Sequence, residues 1–543
     1  MERYDPIELE LFKNIFISIS EEMAAVLGRT ALSPNIKERK DFSCALFNDR
    51  GETLAQGSHI PVHLGAMPLS VRAAMESVRF EEGDLVILND PYRGGTHLPD
   101  ITCVSPVFVR GKLGFFAANR AHHSDVGGMT PGSMPLAQEI FQEGLIIPPL
   151  KLVRKGKIDN DILALILSNV RTPDERRGDI LAQVAANGIG RRRLLETIER
   201  YGSAKVARYG RLVQDYAERV LRETIRSIPD GTYVFSDVLD DDGISDRPVR
   251  IGVEIEVRGD SAVVDFSSSA PQVSGSVNAN FAVTCSAVLY VFRSLVSEDI
   301  PFNTGLLRPL KIVAPKGLIV NAEFPAATVG GNVETSQRIV DVLLGALAKA
   351  LPGRVPAASS GTMNNVAFGG RDPVRERSFA YYETIGGGMG ASPARDGLSG
   401  VHTHMTNSLN TPVEALENYL PVRIRRYGLR PDSGGRGRFK GGEGIVREYE
   451  FLVASQLTII SERRKFPPYG LEGGRAGAVG KNTLIRKGRE MVLGSKINLR
   501  VEPGDVLRVE TPGGGGYGRA GSRASLRVGI KDEGRTEKKR VTK

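Results

Sequence analysis

The stretch DITCVSPVFVRGKLGFFAANRAHHSD, residues 100–125, decides how the most informative polar residues of this chain are arranged. Ile101 to Val109 and Leu113 to Ala118 are apolar or alternating runs on either side of a tight Arg-Gly turn, and this pattern predicts a β-hairpin. In that hairpin, Asp100 at the start of one strand lies opposite Ala121 or His122 at the end of the other. Backbone pairing is therefore expected to bring His122 to Asp100.

Side chains that can bind a metal or move a proton are crowded around this hairpin. Within a glycine-rich stretch of 29 residues the chain carries His97, Asp100, His122, His123 and Asp125. Divalent transition metals prefer imidazole and carboxylate ligands, and catalytic sites usually keep one position open for water or substrate. The pattern predicts a metal site, although hydrogen-bonding loop residues would also explain a His-x-x-Asp spacing taken alone.

Long motifs surround these residues and continue through the chain. They are NDPYRGGTHLPD at 89–100, NRAHHSDVGG at 119–128, PGSMP at 131–135, NVRTP at 169–173, GDILAQVAAN at 178–187, GGNVETSQR at 330–338, HMTN at 404–407, NTPVE at 410–414 and TPGGGGYG at 511–518. Together they resemble the hydantoinase B and oxoprolinase family. The resemblance covers about residues 1–518, and the motifs are too long for chance similarity.

The resemblance implies a metal-bearing subunit or domain that acts with an ATP-using partner of the hydantoinase A type. In the family, the partner phosphorylates the substrate's oxygen, and this subunit completes the ring opening of a cyclic amide of the hydantoin or oxoproline type. In the related alpha subunit of acetone carboxylase the metal is manganese, and its ligands match His97, Asp100 and His122. We therefore expect a divalent metal, manganese or zinc, at these three residues.

Two alternatives remain open on the same motifs. The chain could be the alpha subunit of an acetone carboxylase-like, ATP-dependent carboxylase, or a non-catalytic assembly subunit. Within the hydrolase hypothesis, His123 and Asp125 adjoin the predicted ligands and are expected to orient them or to carry protons. Glu139 and Glu143 are further candidates for that role.

A second group of polar residues lies near the carboxyl end. Residues two apart in a strand face the same side, so His402 and His404 could point at one site. Asn407 and Glu414 follow closely, and two polar loop histidines would explain the pattern equally well. Because the family motif includes His404 and Asn407, these two residues are predicted to hold substrate near the first site. Gly330–Arg338 is interpreted as a helix start whose polar residues cap the helix or line the same cavity.

Glycine-rich loops can cradle phosphate groups, but the glycine-rich loops of this chain lack the other necessary residues. Thr511–Gly518 has no lysine, and Gly480-Lys481 is followed by Asn482 where a phosphate loop has Ser or Thr. The sequence therefore predicts no recognisable nucleotide site in this chain, with ATP used by the partner subunit.

Length and composition predict a folded protein of several regions. The 543 residues are 41% hydrophobic and 25% charged, with 62 glycines, which allows a large core and many loops. The order of helix-like and strand-like segments predicts an α+β fold without regular β-α alternation. We expect an N-terminal metal-site region with a helical layer at 1–228, a mixed β-rich region at 229–520, and a disordered basic tail at 521–543, with Pro229-Asp230-Gly231 as the boundary.

Composition also excludes several classes of function. The net charge is +9, but more than half of the excess falls in residues 521–543, and no aromatic-interleaved basic face suggests nucleic-acid binding. No apolar run is long enough to span a membrane, and the N-terminus lacks a secretion leader. The isolated Cys44, Cys103 and Cys285 are typical of a reducing cytoplasm. We therefore expect a cytoplasmic hetero-oligomer that binds a small molecule.

The first helix is predicted at Asp5-Pro6, where a capping residue precedes proline. Its apolar stripe is expected to be Leu11, Ile15, Phe16, Ile19 and Met23.

Overall fold

The structure is a computed structural model that describes residues 4–57 and 59–521. Except for Gly521, the predicted basic tail lies outside the described residues. The helices of the described part are α1 (Pro6–Thr30), α2 (Pro34–Lys37), α3 (Met67–Ser77), α4 (Asn160–Ser168), α5 (Pro173–Tyr201), α6 (Ser203–Arg226), α7 (Phe281–Ser294), α8 (Ser336–Ala350) and α9 (Val413–Tyr419). No helix in these ranges has the length and apolar character needed to cross a membrane.

The strands outline four sheets. They are β1 (Phe42–Asn48), β2 (Thr53–Gln56), β3 (Leu85–Leu88), β4 (Asp100–Val109), β5 (Lys112–His122), β6 (Leu150–Arg154), β7 (Lys157–Ile158), β8 (Gly231–Leu239), β9 (Val249–Arg258), β10 (Ser261–Asp265), β11 (Leu310–Val313), β12 (Asn365–Asp372), β13 (Arg377–Glu383), β14 (Val422–Leu429), β15 (Ile445–Phe451), β16 (Ser455–Ile460), β17 (Lys481–Arg486), β18 (Arg489–Leu493), β19 (Lys496–Val501) and β20 (Val506–Glu510).

These strands pair in the orders β2-β1-β5-β4-β3-β6-β7, β11-β10-β9-β8, β13-β12-β16-β19 and β14-β15-β20-β17-β18. All the neighbouring pairs among the described strands are antiparallel except β10 with β11. Helices and strands are mixed along the chain without a regular β-α alternation, and nearly all strand pairs are antiparallel, so the predicted α+β class is confirmed. The metal-bearing character assigned to the N-terminal region stays a prediction.

The predicted hairpin forms the centre of the seven-stranded sheet. β4 and β5 pair in the register that places Asp100 directly opposite His122. Helix α5 packs against one face, where Gln183 Nε2 donates to the carbonyl of Ile101 at 2.9 Å and Asn187 Nδ2 donates to that of Cys103 at 3.0 Å. These bonds hold the helix against the hairpin and fix the strand end that carries Asp100.

Helix α1 begins as predicted, because the side chain of Asp5 accepts a hydrogen bond from the backbone N–H of Ile7 at 2.9 Å. Its predicted apolar stripe is partly wrong. Phe16, Ile19 and Met23 are buried, but Leu11 is 41% exposed. The buried face runs through Leu9, Phe12, Phe16, Ile19, Met23 and Leu27. That spacing keeps closer to one side of a helix than a stripe that begins at Leu11.

The main hydrophobic core draws on residues from both sides of position 229. Leu221 and Ile225 of α6 belong to the same buried cluster as Ile251 of β9 and Leu343 of α8, and so does Ile60. The predicted boundary at 229 therefore separates two segments that share one core.

Candidate functional site

Four side chains meet at the open end of the β4–β5 hairpin: His63, His97, Asp100 and His122, here called the polar cluster. Each is at least 97% buried. Asp100 and His122 are placed by strand pairing, and His97 by the loop that leads into β4. His63 comes from a short 3-10 helix, Pro61–His63. Three of the four are the residues predicted as metal ligands, so the structure brings that predicted set together.

Asp100 is the centre of this cluster. Its Oδ2 lies 2.9 Å from Nδ1 of His97 and 3.3 Å from Nε2 of His63, and it accepts a hydrogen bond from the hydroxyl of Thr96 at 2.5 Å. Its Oδ1 is buried and has no hydrogen-bond partner among the described residues. Burial would raise the pKa of this carboxyl, but His97 and His63 outweigh burial and hold the pKa well below its usual range. Asp100 is therefore ionised at neutral pH.

The ring of His122 is held between two neighbours. It stacks on Tyr382 with 4.5 Å between ring centroids and 7° between planes, and its Nδ1 lies 3.0 Å from Nδ2 of Asn35. Its Nε2 is buried and has no partner among the described residues. Burial, assisted by the charge of His97, lowers the pKa of His122 well below its usual range. The ring is therefore neutral, which is the protonation state in which imidazole binds metals.

The polar cluster contains carboxylate and imidazole groups with unpartnered atoms, and such groups are suitable ligands for a divalent metal. Oδ1 of Asp100 and Nε2 of His122 are the kinds of atom such a metal selects, and a buried polar atom without a partner calls for one. As arranged here, however, residues 4–57 and 59–521 contain no group of three or more His, Cys, Asp or Glu side chains spaced to hold a metal ion. Asp100 Oδ2 instead meets His97, His63 and Thr96.

His97 is tied to a distant part of the chain. Nδ2 of Asn332 donates to its Nε2 at 3.3 Å, and Asn332 belongs to a π-helical turn, Gly331–Thr335, directly before α8. Such turns are rare and often occur at functional sites. The helix start predicted at 330–338 is confirmed, but the expected capping by side chains is absent from both the π-helical turn and α8, and Asn332 contacts the polar cluster instead.

Glu334, from the same π-helical turn, is linked to His122 through two hydrogen bonds and one ring stack. Its Oε1 accepts from Nδ2 of Asn365 at 2.6 Å, and the hydroxyl of Tyr382, on which His122 stacks, donates to Oδ1 of Asn365 at 2.7 Å. Oε2 of Glu334 has no partner among the described residues. Burial, with the nearby charge of Glu462, raises the pKa of Glu334 to about 8, so this carboxyl is protonated at neutral pH.

His123 and Asp125, predicted to assist catalysis, are buried but turned to other partners. Nε2 of His123 donates to Oε1 of Gln183 on α5 at 2.9 Å. Asp125 accepts from the backbone N–H of Gly127 at 3.2 Å and pairs with the guanidinium of Arg171 at 3.0 Å. These contacts brace the loop after β5, and a part in proton transfer stays a prediction for both residues.

The two further candidates differ in burial. Glu139 is exposed, whereas Glu143 is fully buried. Oε1 of Glu143 accepts from the backbone N–H groups of Thr328 and Val329 at 2.7 and 2.8 Å. Burial raises the pKa of Glu143 to about 8. Glu143 thus fixes the segment that leads into the π-helical turn.

The second predicted group lines a cavity of about 1110 Å³, here called the histidine cavity, whose polar lining includes His59, His402, His404 and Asn407. Nδ1 of His404 lies 3.4 Å from the hydroxyl of Tyr290, and its Nε2 has no partner in the described chain. Burial lowers the pKa of His402 to about 4 and also lowers that of His404. Glu414 is exposed on α9 and is not among the lining residues.

The histidine cavity and the polar cluster share structural elements. The segment 59–63 gives His59 to the cavity and His63 to the cluster. Arg39 links them from another side, because its guanidinium donates to Ser408 of the cavity wall at 3.2 Å and to Oδ1 of Asn35, the neighbour of His122, at 3.4 Å. All seven histidines of the chain thus lie in the cluster, next to it, or on the cavity wall.

Sequence reasoning did not identify His63, Asn35 or Tyr382, and it assigned Asn332 to helix capping or to a cavity lining. These residues lie far from the hairpin in sequence and join it only through tertiary packing. One signal was available: with only seven histidines in 543 residues, His63 could have been grouped with the others.

A comparison with known families identifies the family of the chain. The family model described as hydantoinase B/oxoprolinase matches residues 5–520. The chain belongs to the hydantoinase B/oxoprolinase family.

The relatives of this chain include both separate subunits and longer proteins. The chain is 43% identical to 5-oxoprolinase 1 of Arabidopsis thaliana, with 95% of this chain covered but only 42% of the plant protein. It is 33% identical to a putative B-type subunit of a D-/L-hydantoinase from Pseudomonas sp., covering 95% of this chain and 90% of that one. The crystal structure of the ATP-dependent caprolactamase from Pseudomonas jessenii has a TM-score of 0.89 at 31% identity and covers 95% of this chain and 92% of that one. The chain thus spans most of a separate subunit and less than half of a longer oxoprolinase.

Proposed function

We propose that this chain is the metal-bearing subunit of an ATP-dependent hydrolase of cyclic amides of the hydantoin or oxoproline type. A partner of the hydantoinase A type would use ATP to phosphorylate the substrate, and this chain would complete the ring opening. The observation that carries the proposal is the buried pair Asp100 and His122 beside His97. Asp100 is ionised and His122 is neutral, and each has one potential metal-binding atom without a partner among the described residues, Oδ1 and Nε2 respectively. The relatives named as an oxoprolinase, a hydantoinase subunit and a caprolactamase support the substrate class.

His97, Asp100 and His122 would hold the divalent metal, manganese or zinc. A metal with an open coordination position lowers the pKa of bound water and polarises a carbonyl or phosphoryl oxygen. Asn35 and Tyr382 can fix the orientation of His122 for this role, because Nδ2 of Asn35 lies 3.0 Å from its Nδ1 and the ring of Tyr382 stacks on it. His97 and His63 keep Asp100 ionised, and the hydroxyl of Thr96 helps to orient it.

The remaining residues would position substrate and protons. The histidine cavity would receive the activated amide, with His404 and Asn407 as binding residues, because it adjoins the cluster through residues 59–63. Glu334 holds a proton at neutral pH and offers it from Oε2, which has no other partner among the described residues. The contacts support substrate binding in the histidine cavity and proton donation by Glu334.

The test is reconstitution. The purified chain is mixed with a hydantoinase A-type subunit, and ring opening of hydantoin and of 5-oxoproline is followed with and without ATP. We expect ATP-dependent turnover in the mixture and neither ATP hydrolysis nor ring opening by this chain alone. His122→Gln should abolish turnover, whereas the exposed substitution Glu414→Gln should not. ATPase activity in the pure lone chain would overturn the proposal, as would full activity of His122→Gln. The carboxylase alternative would appear as ATP-dependent consumption of bicarbonate and a ketone.

A further inference from the structure

A second cavity lies at the opposite end of the β4–β5 hairpin from the polar cluster. It has a volume of about 590 Å³ and runs between the first turns of α6 and the tips of two hairpins, β1–β2 and β4–β5. We call it the basic cavity. The strand from Asp100 to Val109 separates the two sites by roughly 30 Å at ~3.3 Å per residue. The basic cavity is thus distinct from the polar cluster and from the histidine cavity.

Four cationic side chains line the basic cavity: Arg50, Arg110, Lys112 and Arg211. All four are exposed, and none has an ion pair or a side-chain hydrogen bond within the part of the chain described here. The fifth cation of the lining, Arg308, is neutralised by carboxylates at 2.6 and 3.0 Å. The carboxylates of Asp49 and Glu52 also line the basic cavity. The four unpaired cations, which come from three separate elements, outnumber these two carboxylates, so the basic cavity favours a multiply charged anion.

The N-terminus of α6 opens into the same cavity. This helix has 24 residues and begins at Ser203, and Ser203 and Ala204 both line the hollow. The first backbone N–H groups of a helix have no partner within it, and together with the helix dipole they favour a phosphate group. The helix start therefore adds neutral donors to the four cations.

A buried side chain gives an independent indication of a ligand. Gln214 lines the cavity and is fully buried, and its Oε1 has no hydrogen-bond partner in the described chain. Its Nε2 donates to the carbonyl of Thr53 at 2.9 Å, which fixes the orientation of the amide. The free oxygen can only accept, so it calls for an N–H or O–H group. An inorganic anion alone would not satisfy it.

We propose that the basic cavity binds a small organic polyphosphate the size of a nucleoside triphosphate. Its phosphates would lie against the α6 N-terminus and the four cations, and an N–H or O–H donor at its other end would bind Gln214. Gln214 is 11 residues after Ser203, so the two ends are about 16 Å apart at 1.5 Å per residue. The cavity volume is within the ~300–1,000 Å³ range of small-molecule sites.

The test is isothermal titration calorimetry with the full chain at two salt concentrations. The probes are ATP, tripolyphosphate, inorganic phosphate and hexaglutamate. We expect saturable binding of ATP that weakens with salt, weaker binding of tripolyphosphate, and no measurable binding of phosphate. Arg110→Gln with Lys112→Gln should weaken ATP and tripolyphosphate about tenfold or more, because two charge-assisted contacts are lost.

Two further variants separate the parts of the proposal. Gln214→Met should weaken ATP but leave tripolyphosphate unchanged, since only ATP carries a donor for Gln214. The matched control, Arg371→Gln with Lys481→Gln, removes two exposed cations elsewhere and should change neither. Unfolding temperatures confirm that each variant folds. The proposal is overturned if ATP does not bind, if the Arg110/Lys112 double variant binds it like wild type, or if hexaglutamate binds as tightly as ATP, which would assign the cavity to an acidic protein segment.

Discussion

The side-chain amide of Asn332 contacts Nε2 of His97 at 3.3 Å although the two residues are 235 positions apart in the chain. His97 comes from the loop before β4 and Asn332 from the π-helical turn before α8. The orientation of a predicted metal ligand is therefore set by a helix start in another part of the fold. Asn332 is a positioning residue in this arrangement.

Asn332→Ala is expected to reduce metal affinity or partner-dependent kcat by about 10- to 100-fold, the usual effect of losing a group that orients a ligand. KM should change little, because Asn332 is not a lining residue of the histidine cavity. Metal affinity is measured by competition with a chelator, and Asn410→Ala, a cavity-wall amide, serves as the control. Equal metal affinity and equal kcat in Asn332→Ala and wild type would show that the contact has no functional role.

Metal content gives a direct test of the predicted ligands. We expect the purified chain to hold about one divalent ion, as a three-ligand catalytic site does, and Asp100→Asn and His122→Gln to hold almost none. His402→Gln is the matched control, because it is also a buried histidine but lies in the histidine cavity. Elemental analysis of the four proteins decides the matter, and unchanged metal in both ligand variants would refute the assignment.

Substrate binding should depend on the histidine cavity. His404→Ala and Asn407→Ala are expected to raise KM roughly 3- to 10-fold, the cost of one hydrogen bond, with a smaller effect on kcat. Metal content should stay at the wild-type level in both variants, in contrast to Asp100→Asn. Steady-state kinetics with the partner subunit measure the effect, and a loss of kcat with unchanged KM would move these residues out of the binding role.

The stability of the fold should depend on pH through Glu143. Its pKa is raised from 4.5 to about 8 in the folded chain, so the folded state binds a proton more tightly than the unfolded state. The free energy of unfolding should therefore decrease as pH rises from about 4.5 to about 8. Glu143→Gln keeps an oxygen for the N–H groups of Thr328 and Val329 but does not titrate.

Urea unfolding at pH 5, 6.5 and 8.5 tests this. The variant should gain stability relative to wild type as pH rises, whereas the exposed substitution Glu139→Gln should follow wild type throughout. A constant difference between Glu143→Gln and wild type across this range would contradict the expected titration.

The part of the site built by local structure could be predicted from sequence. The length of two apolar runs and one tight turn places Asp100 opposite Ala121 or His122, and the structure has the second of these registers. His63, Asn35 and Tyr382 could not be placed, because no local periodicity connects a 3-10 turn, a short helix and a distant strand. Their approach depends on how separate sheets pack.

Local pattern also misled in one respect. Leu11 has the character of a core residue, yet it is exposed, because α1 turns a neighbouring face toward the sheet and α5. An apolar residue at the border of a helical stripe can belong to either side, and only the partner surface decides.

The core that joins Ile60 to Ile460 also bears on how genes can rearrange this protein. A recombination break inside it would expose apolar surface on both products, so neither half could be inherited as a folded unit. Breaks at its edges leave the core intact. In agreement, 95% of this chain is matched both in a hydantoinase subunit, of which it covers 90%, and in a longer plant oxoprolinase, of which it covers 42%.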